Sequence, residues 1–410
     1  MRFKGLLLIL LFGINSSAQN DQIQENTSLF LIPEFHVGKT IDANDGFPQT
    51  KLQTAVILSL GLHNASAKNE WASRLNFPKT GLALAFIDFG NSEKVGQAFT
   101  VLPFAEFKWL PRFYLNVGMG VSYMNTLYDE VSNPFNKAIT TNLNWSFRSF
   151  LYYSVSKQKK MDWRLGVGYF HHSNGHTRLP NQGLNSILAS VSAKINTKFD
   201  HATIDKPRFD QTSQTYISGR FGFGINTLSK EFNSKKEVYT LAFSIGKIIN
   251  KTFKFGGGFY YRFYQHYYDY IKNEEELVTE EFPVFLENPF GYASNFGLYG
   301  TAELLLGHVG FEFELGLNIH KPFYQIDWKL NEGYSYPTGN GDEMVVVLGE
   351  LNWYYEIKRT VSSRIGLKYY FINTNHAPKN NIFLGAHINA NLGQADFTDL
   401  SLGYVYRFDL

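Results

Sequence analysis

Residues 401–410 read SLGYVYRFDL, and this stretch carries the pattern that decides the fold. Its apolar and aromatic side chains fall on alternate positions: Leu402, Tyr404, Tyr406, Phe408 and Leu410. The positions between them are mostly small or polar. A period of two is typical of a β-strand with one apolar face and one more polar face. The stretch therefore predicts a strand that separates two different environments.

The same alternation recurs along most of the chain. Seventeen segments between residues 28 and 409 show it, among them 252–268 and 344–357. Short connections alternate with long ones, and the long ones cover 125–137, 269–291 and 320–343. Bacterial membrane barrels are built in this way, and they have an even number of strands. We therefore expect sixteen strands, with one of the seventeen segments misassigned or one long strand split into two segments, and a short helix within 64–79.

The composition favours an exported membrane protein. Residues 1–18 begin with Arg2 and Lys4, continue through an apolar core at 6–14 and end in small residues, which indicates a signal peptide. Aromatic residues make up 17 % of the chain, there are 35 Gly, and charged residues are only 18 % against about 25 % in ordinary soluble domains. No later apolar run reaches the roughly 20 residues of a membrane helix. There is no Cys, and a net charge of +2 does not favour nucleic acid as a partner.

These observations predict an all-β fold, a transmembrane antiparallel β-barrel of about sixteen strands in a bacterial outer membrane. The alternative is an eight-stranded barrel followed by a second β unit. A soluble β-sandwich fits less well, because its outward faces would be polar rather than lined with Leu, Phe and Tyr. We divide the chain into the signal peptide at 1–18, a first half at 19–199 and a second half at 200–410.

Residues 169–185, YFHHSNGHTRLPNQGLN, contain the strongest candidate for chemistry. His171 and Ser173 lie two positions apart near the end of the seventh candidate strand, so they share one face. The same face carries Leu165 and Val167, which predicts that it points to lipid. A serine hydroxyl becomes an effective nucleophile when a neighbouring base takes its proton, and imidazole suits that task near neutral pH.

The pattern His-x-Ser-Asn at 171–174, followed by Pro-Asn-x-Gly at 180–183, resembles the outer-membrane lipid A 3-O-deacylases of the PagL type. Longer relatives of that type are known as bacterial acyloxyacyl hydrolases. The resemblance implies an outer-membrane serine ester hydrolase that removes an acyl chain from lipid A or a related glycolipid of lipopolysaccharide. It implies Ser173 as nucleophile and His171 as general base, with no metal or other cofactor.

The chain departs from that family at two places. The family's third catalytic residue, a glutamate fourteen positions after the histidine, is replaced here by Asn185. Of the family's oxyanion donors, Asn174 matches. Gly175 lies one position before the family's glycine, and His176 occupies the matching place. The resemblance therefore implies a site made of His171, Ser173 and Asn185, with Asn174 and Gly175 as oxyanion donors.

Other interpretations remain open at this stage. Ser173 and Asn174 are also typical of a turn that caps a strand end. A metal site of His171, His172 and His176 is poorly supported, because neighbouring strand residues point to opposite faces. Arg178 fits a solvated cation better than a lipid-phosphate contact. The whole chain also fits a channel, or a structural barrel whose long loops bind a partner, and the sequence does not indicate an oligomeric state.

Overall fold

The computed structural model describes residues 28–64, 69–157, 161–195, 207–330, 334–337, 344–347 and 352–408. The predicted signal peptide at 1–18 and the division at 199–200 lie outside these residues. Sixteen strands form two closed antiparallel barrels of eight strands each. The predicted total of sixteen is confirmed, and the strands divide as in the alternative, with one eight-stranded barrel followed by a second β unit.

The first barrel closes when its eighth strand pairs with its first, as in the pair Ile41 and Asn185. Neighbours in the chain are neighbours in the barrel. The eight strands are β1 (Ser28–Ile41), β2 (Gln53–His63), β3 (Lys79–Asp88), β4 (Gln97–Leu110), β5 (Phe113–Met124), β6 (Leu143–Lys157), β7 (Met161–Ser173) and β8 (Leu184–Ile195).

The second barrel closes in the same way, by pairing of its last strand with its first. A small hairpin, β14 (Tyr334–Pro337) and β15 (Met344–Val347), lies outside the barrel sheet. The barrel strands are β9 (Ser213–Asn226), β10 (Lys236–Ile249), β11 (Phe253–Tyr264), β12 (Ser294–Leu306), β13 (Val309–His320), β16 (Val361–Tyr370), β17 (Asn380–Asn391) and β18 (Gln394–Arg407).

The described parts of the connections contain six short helices: α1 (Glu70–Arg74), α2 (Gln265–Lys272), α3 (Glu276–Glu281), α4 (Pro289–Tyr292), α5 (Tyr324–Leu330) and α6 (Asn352–Thr360). A 3-10 turn, Pro283–Glu287, separates α3 from α4, and another covers Thr374–His376. Among the described residues, no helix has the length and apolarity needed to cross a membrane. Helix α1 confirms the short helix expected within 64–79.

The segment 344–357 is the one misassigned strand. Its first four residues are extended and a helix begins at Asn352, while 348–351 lie outside the described residues. Leu351, Trp353 and Tyr355 stand at alternate positions, as in a strand, whereas Leu351, Tyr354 and Tyr355 have the i, i+3, i+4 spacing of a helix face. The two periods are hard to separate in so short a segment. The predicted strand at 252–268 is also too long, because α2 begins at Gln265 and bends the chain over the barrel end.

The outward faces of the strands are apolar. On β7, Leu165 is 53 % exposed and Val167 is 59 % exposed, whereas Arg164 and Phe170 point into the barrel and are buried. Exposed Leu, Phe, Val and Ile occupy the same outward positions around both barrels. Large apolar side chains in such numbers on an outer surface are stable only where they meet lipid or another apolar surface.

Buried ion pairs fill both barrel interiors. In the first, Arg148 lies 3.4 Å from Glu34, and Arg164 lies 2.8 Å from Glu106. In the second, Arg364 lies 2.9 Å from Glu312. Further charged pairs join these: Lys79 with Glu106, Arg220 with Glu314, Lys254 with Glu303 and Lys368 with Glu312. Barrels of eight strands are just wide enough for side chains to fill them.

The long connections lie at one end of the barrels, which we call the loop end. Among the described residues it comprises 125–142 and 174–183 of the first barrel, and 227–235, 265–293, 321–330 and 352–360 of the second. The loop ends of the two barrels are joined: the Thr227 N–H donates to the His176 carbonyl at 3.2 Å. In bacterial barrels the longer loops are extracellular. The two barrels also meet at the opposite end, where Arg74 of α1 donates to the Asp210 carbonyl at 2.7 Å.

Candidate active site

Strand β7 places the candidate residues on the outside of the first barrel, near the loop end. Its even-numbered residues point inward, so His171 and Ser173 lie on the same outward face as Val167. His171 is partly exposed, and Ser173 is 7 % exposed. The structure therefore places both residues on the outward face of β7, as the alternation of its apolar residues predicts.

Asn185 meets His171 across the strand pair. The two residues are direct partners in the register of β7 and β8, and Asn185 Oδ1 lies 2.7 Å from His171 Nδ1. Because an amide oxygen accepts and does not donate, the imidazole carries its proton on Nδ1. Nε2 is then free of a proton and can accept one. The Tyr169 hydroxyl donates to the same Asn185 oxygen, and its ring stacks on His171 at 6.4 Å.

Ser173 lies at the last position of β7, opposite Trp145 of β6. Within the part of the chain that the structure describes, no hydrogen bond joins Ser173 Oγ to the His171 ring. The two residues nevertheless lie two positions apart on the same face of the strand. At this spacing, a change of the Ser173 rotamer can bring its hydroxyl to the His171 ring. Catalytic hydrogen bonds in unliganded enzymes are often long and tighten when substrate binds.

His172 has a different role from its neighbour. It points into the barrel, where its Nδ1 lies 2.9 Å from Ser122 Oγ and 2.9 Å from Ser146 Oγ. Its ring stacks on Phe170. In the described ranges, no group of three or more His, Asp or Glu side chains is placed to hold one metal ion. His171 and His172 lie on opposite faces, as the strand period requires.

The loop that follows β7 is held by its asparagines. The Asn174 N–H donates to Asn181 Oδ1 at 3.0 Å, so the two ends of the loop meet. The Asn174 side-chain amide donates to Thr140 Oγ1 at 2.9 Å and to the Arg178 carbonyl at 2.7 Å. Both donor groups of Asn174 are therefore engaged in shaping the loop rather than directed at a substrate.

Two glycines allow the loop to approach its neighbours. Gly183 has φ +74°, and a Cβ there would lie 2.8 Å from His171 Cε1. Gly175 has φ +65°, and a Cβ there would lie 2.1 Å from Thr398 Oγ1. Both backbone conformations disfavour a side chain. Among the described residues the Gly175 N–H has no hydrogen-bond partner, so it is available as a donor next to Ser173.

The second barrel touches this loop. Thr398 Oγ1 of β18 accepts a hydrogen bond from Trp145 Nε1 at 3.0 Å and donates one to the Gly175 carbonyl at 3.3 Å. His176 Nε2 lies 3.1 Å from the Thr227 carbonyl. The Leu179 N–H donates to Asn233 Oδ1 at 2.9 Å, and Asn233 donates back to the Leu179 carbonyl.

Sequence reasoning missed three residues of this site. Tyr169 had a detectable signal, because it shares the face of His171 two positions earlier. Trp145 and Thr398 had none. Trp145 is 28 positions before Ser173 in the sequence, and Thr398 belongs to a different barrel. Only the strand register and the contact between the barrels bring them together.

Comparisons with known proteins agree with the sequence resemblance. Residues 47–194 match the family model described as lipid A 3-O-deacylase (PagL). No curated protein sequence matches the chain. Among solved structures, the chain is similar to the outer membrane enzyme PagL, at 15 % identity and a TM-score of 0.28, over 40 % of this chain and 99 % of that one.

Porin structures are also similar, at lower scores. Pseudomonas aeruginosa OccK5 (OpdH) shares 9 % identity at a TM-score of 0.20, over 94 % of this chain and 99 % of that one. A mutant porin of Rh. blastica shares 11 % identity at a TM-score of 0.17, over 93 % and 100 %. Superpositions with TM-scores this low do not bear on function. The family model covers β2 to β8 with the whole 171–185 site, so the similarity to the lipid A 3-O-deacylase (PagL) family lies in the first barrel of this chain.

Proposed function

We propose that the protein is a serine ester hydrolase that removes an acyl chain from lipid A, or a related glycolipid, in the outer leaflet of the outer membrane. One observation carries the proposal. His171 Nδ1 is held by Asn185 Oδ1 at 2.7 Å, on the outward face that also presents Ser173. This is the arrangement of a base oriented by a third group beside a hydroxyl.

The proposed reaction begins with Ser173. His171 Nε2 takes the hydroxyl proton as Ser173 Oγ attacks the acyl carbonyl carbon, which gives a tetrahedral intermediate. The electron pair of the carbonyl π-bond moves onto the carbonyl oxygen, which becomes negatively charged. The intermediate collapses when His171 returns the proton to the sugar oxygen, which leaves as an alcohol. Water then attacks the acyl-enzyme with His171 again as base, and the free fatty acid and Ser173 are released.

The Gly175 N–H is our candidate for the oxyanion donor. A backbone N–H beside the nucleophile stabilises charge that develops on the carbonyl oxygen. Asn174 serves in this proposal as a positioning residue, because its own N–H and its side-chain amide are used within the loop. In this assignment the Gly175 N–H contacts the oxyanion, and Asn174 acts by holding the loop in place.

Asn185 limits the proposed chemistry in one respect. Its amide oxygen holds the Nδ1–H tautomer of His171, but it carries no charge to stabilise the imidazolium that forms during the reaction. The Tyr169 hydroxyl further fixes the Asn185 amide. We therefore expect a slower enzyme than one with a carboxylate in this position.

The test is hydrolysis in detergent. The purified protein is incubated with lipopolysaccharide, and released fatty acid is identified by mass spectrometry. Ser173→Ala and His171→Ala should each abolish release, whereas Ser122→Ala, which removes an interior partner of His172, serves as a matched control and should retain it. Release that continues in both site variants would refute the proposal.

The channel alternative has less support. The ion pairs described above fill both interiors, and the side chains of Arg148 and Arg364 are buried in the middle of them. A conducting barrel needs an aqueous lumen, which eight strands do not leave open when side chains fill the interior.

A further inference from the structure

A cleft between the two barrels opens beside the candidate active site. It encloses about 690 Å³ at the loop end. Asn174 and Trp145, the strand partner of Ser173, contribute to its wall from the first barrel, and Thr398 contributes from the second. Because Ser173 lies next to Asn174 and opposite Trp145, a molecule in this cleft would be adjacent to the proposed nucleophile.

Part of the cleft wall is apolar on both sides. Val121 and Leu143 line it from the first barrel, and Phe223 and Leu400 line it from the second. All four are outward-facing residues of their barrels, and Leu143 and Leu400 are 66 % and 67 % exposed. An exposed apolar surface of this kind, set between two barrels in a membrane, accommodates an acyl chain.

The rim of the cleft at the loop end is cationic. Arg178 and Lys235 line it, one from each barrel, and both side chains are exposed. Neither forms an ion pair with a carboxylate among the described residues. The only carboxylate in the lining, Asp399, is buried and lies 3.3 Å from Arg364 inside the second barrel. The rim therefore has two uncompensated positive charges.

The two loops that carry the cations are joined directly. Arg178 precedes Leu179, and Leu179 exchanges two hydrogen bonds with Asn233, which is two positions before Lys235. Two backbone groups of one loop are thus fixed to one side chain of the other. This pairing fixes the backbone segments from which the Arg178 and Lys235 side chains extend.

We propose that this cleft is the substrate subsite, in which Arg178 and Lys235 bind a phosphate group on the sugar head of a glycolipid and the apolar wall holds one of its acyl chains. Arginine and lysine are the usual ligands of phosphate in proteins. An amphiphile with an anionic head and a chain matches the cationic rim above an apolar wall. The inference rests on the proposed function for the position of the ester, but the subsite itself is built by both barrels.

Binding to an inactive variant tests this subsite independently of hydrolysis. Ser173→Ala protein in detergent is titrated with radiolabelled bis-phosphorylated lipid A, and with the same lipid after its phosphates have been removed. Arg178→Gln and Lys235→Gln, each added to Ser173→Ala, should weaken binding of the phosphorylated lipid about tenfold. Neither should change binding of the dephosphorylated lipid. Lys230→Gln is the matched control, because Lys230 is an exposed cation of the same 227–235 turn that does not line the cleft.

The outcomes separate the two proposals. A selective loss for the phosphorylated lipid supports the subsite even if the wild-type protein releases no fatty acid, in which case only the proposed hydrolysis fails. Equal affinities in all variants, or an equal loss for both lipids, overturn the subsite even if hydrolysis is observed. Inorganic phosphate is the competitor that identifies the source of the anion: it should compete weakly because it lacks a chain. Displacement of the lipid by phosphate at the lipid's own affinity would overturn the assignment to a glycolipid. Each variant is checked for barrel folding by its heat-dependent gel mobility.

Discussion

Thr398 of the second barrel and Gly175 of the first are joined by a hydrogen bond from the Thr398 hydroxyl to the Gly175 carbonyl at 3.3 Å. The same hydroxyl accepts from Trp145 at 3.0 Å. Gly175 is thus held at its carbonyl by a residue of the other barrel, and its N–H lies in the preceding peptide group. Since the N–H of Gly175 is the proposed oxyanion donor, the second barrel has a part in arranging the site of the first.

Replacing Thr398 by Val should reduce the rate of acyl release without unfolding either barrel. Loss of one hydrogen bond to the Gly175 carbonyl costs about 0.5 to 1.5 kcal/mol, which corresponds to a reduction of about two- to tenfold. We expect the effect in kcat rather than in KM, because the oxyanion forms only after substrate has bound. Thr215→Val is the matched control, because Thr215 lies at the start of β9, whereas Thr398 of β18 pairs with Ile225 at the other end of that strand. Unchanged kcat in Thr398→Val would separate the second barrel from catalysis.

Asn185 provides a second prediction. Asn185→Asp keeps the size of the side chain and adds a charge that stabilises the imidazolium of His171, so kcat should rise by about tenfold. Asn185→Ala removes the acceptor at 2.7 Å that fixes the tautomer and should lower kcat by about a hundredfold. Both rates are measured as fatty acid released under saturating lipopolysaccharide. A lower rate in Asn185→Asp than in the unaltered protein would contradict the role given to His171.

Gly183 provides a third prediction. Gly183→Ala introduces a Cβ 2.8 Å from His171 Cε1, which must displace the ring from Asn185. Acyl release should fall at least about tenfold, because a shift of the base by about an ångström is costly to catalysis. Gly307→Ala is a matched control: Gly307 has φ +76°, nearly the same as Gly183, but its nearest neighbour would be 3.6 Å away. Equal loss in both variants would indicate general backbone strain instead.

The strands were predictable because a barrel places every other residue in lipid. The alternation at 401–410 and at β7 follows directly from that geometry, and it also identifies the shared outward face of His171 and Ser173. The segment 344–357 was not predictable, since Leu351, Trp353 and Tyr355 alternate as in a strand while Leu351, Tyr354 and Tyr355 have the spacing of a helix face. The division into two barrels was left open, because alternation reports which face of a strand is apolar and not which strand closes a sheet.

The site was predictable only where it is local in sequence. His171 and Asn185 are fourteen positions apart across one connection, so the pairing of adjacent strands brings them together. Trp145 and Thr398 could not be found in this way. Their hydrogen bond depends on how two closed barrels pack against each other, and neither residue has a sequence pattern that indicates a partner.

The filled interiors lead to a fourth prediction. Planar bilayers that contain the purified protein should show no steady ionic conductance, because Arg148, Arg364 and their carboxylate partners occupy the two lumens. The porin-like conductance of a water-filled barrel serves as the positive control on the same apparatus. Stable open-channel steps that depend on protein concentration would show that the interiors rearrange, and would revive the channel alternative.

The contact between the loop ends should depend on pH through His176. Its removal from water is the largest effect on this residue, and it lowers the pKa of His176 below the usual 6.5; Lys358 and Lys321 act in the same direction. The opposing effects of Asp396 and of the hydrogen bond to Thr227 are smaller. The folded protein therefore binds this proton less readily than the unfolded chain does. The contribution of His176 to stability is complete above pH 6.5 and is lost as the pH falls below it.

We therefore expect the free energy of unfolding in urea to fall between about pH 7.5 and about pH 5, and to fall less in His176→Gln. The glutamine amide can still donate to the Thr227 carbonyl, which accepts from His176 Nε2 at 3.1 Å, but it does not titrate. The difference between the two proteins at each pH isolates this residue, because every other titrating group is common to both. If the two curves run parallel from about pH 7.5 to about pH 5, protonation of His176 does not oppose the contact between the barrels, and its burial there has no consequence for stability.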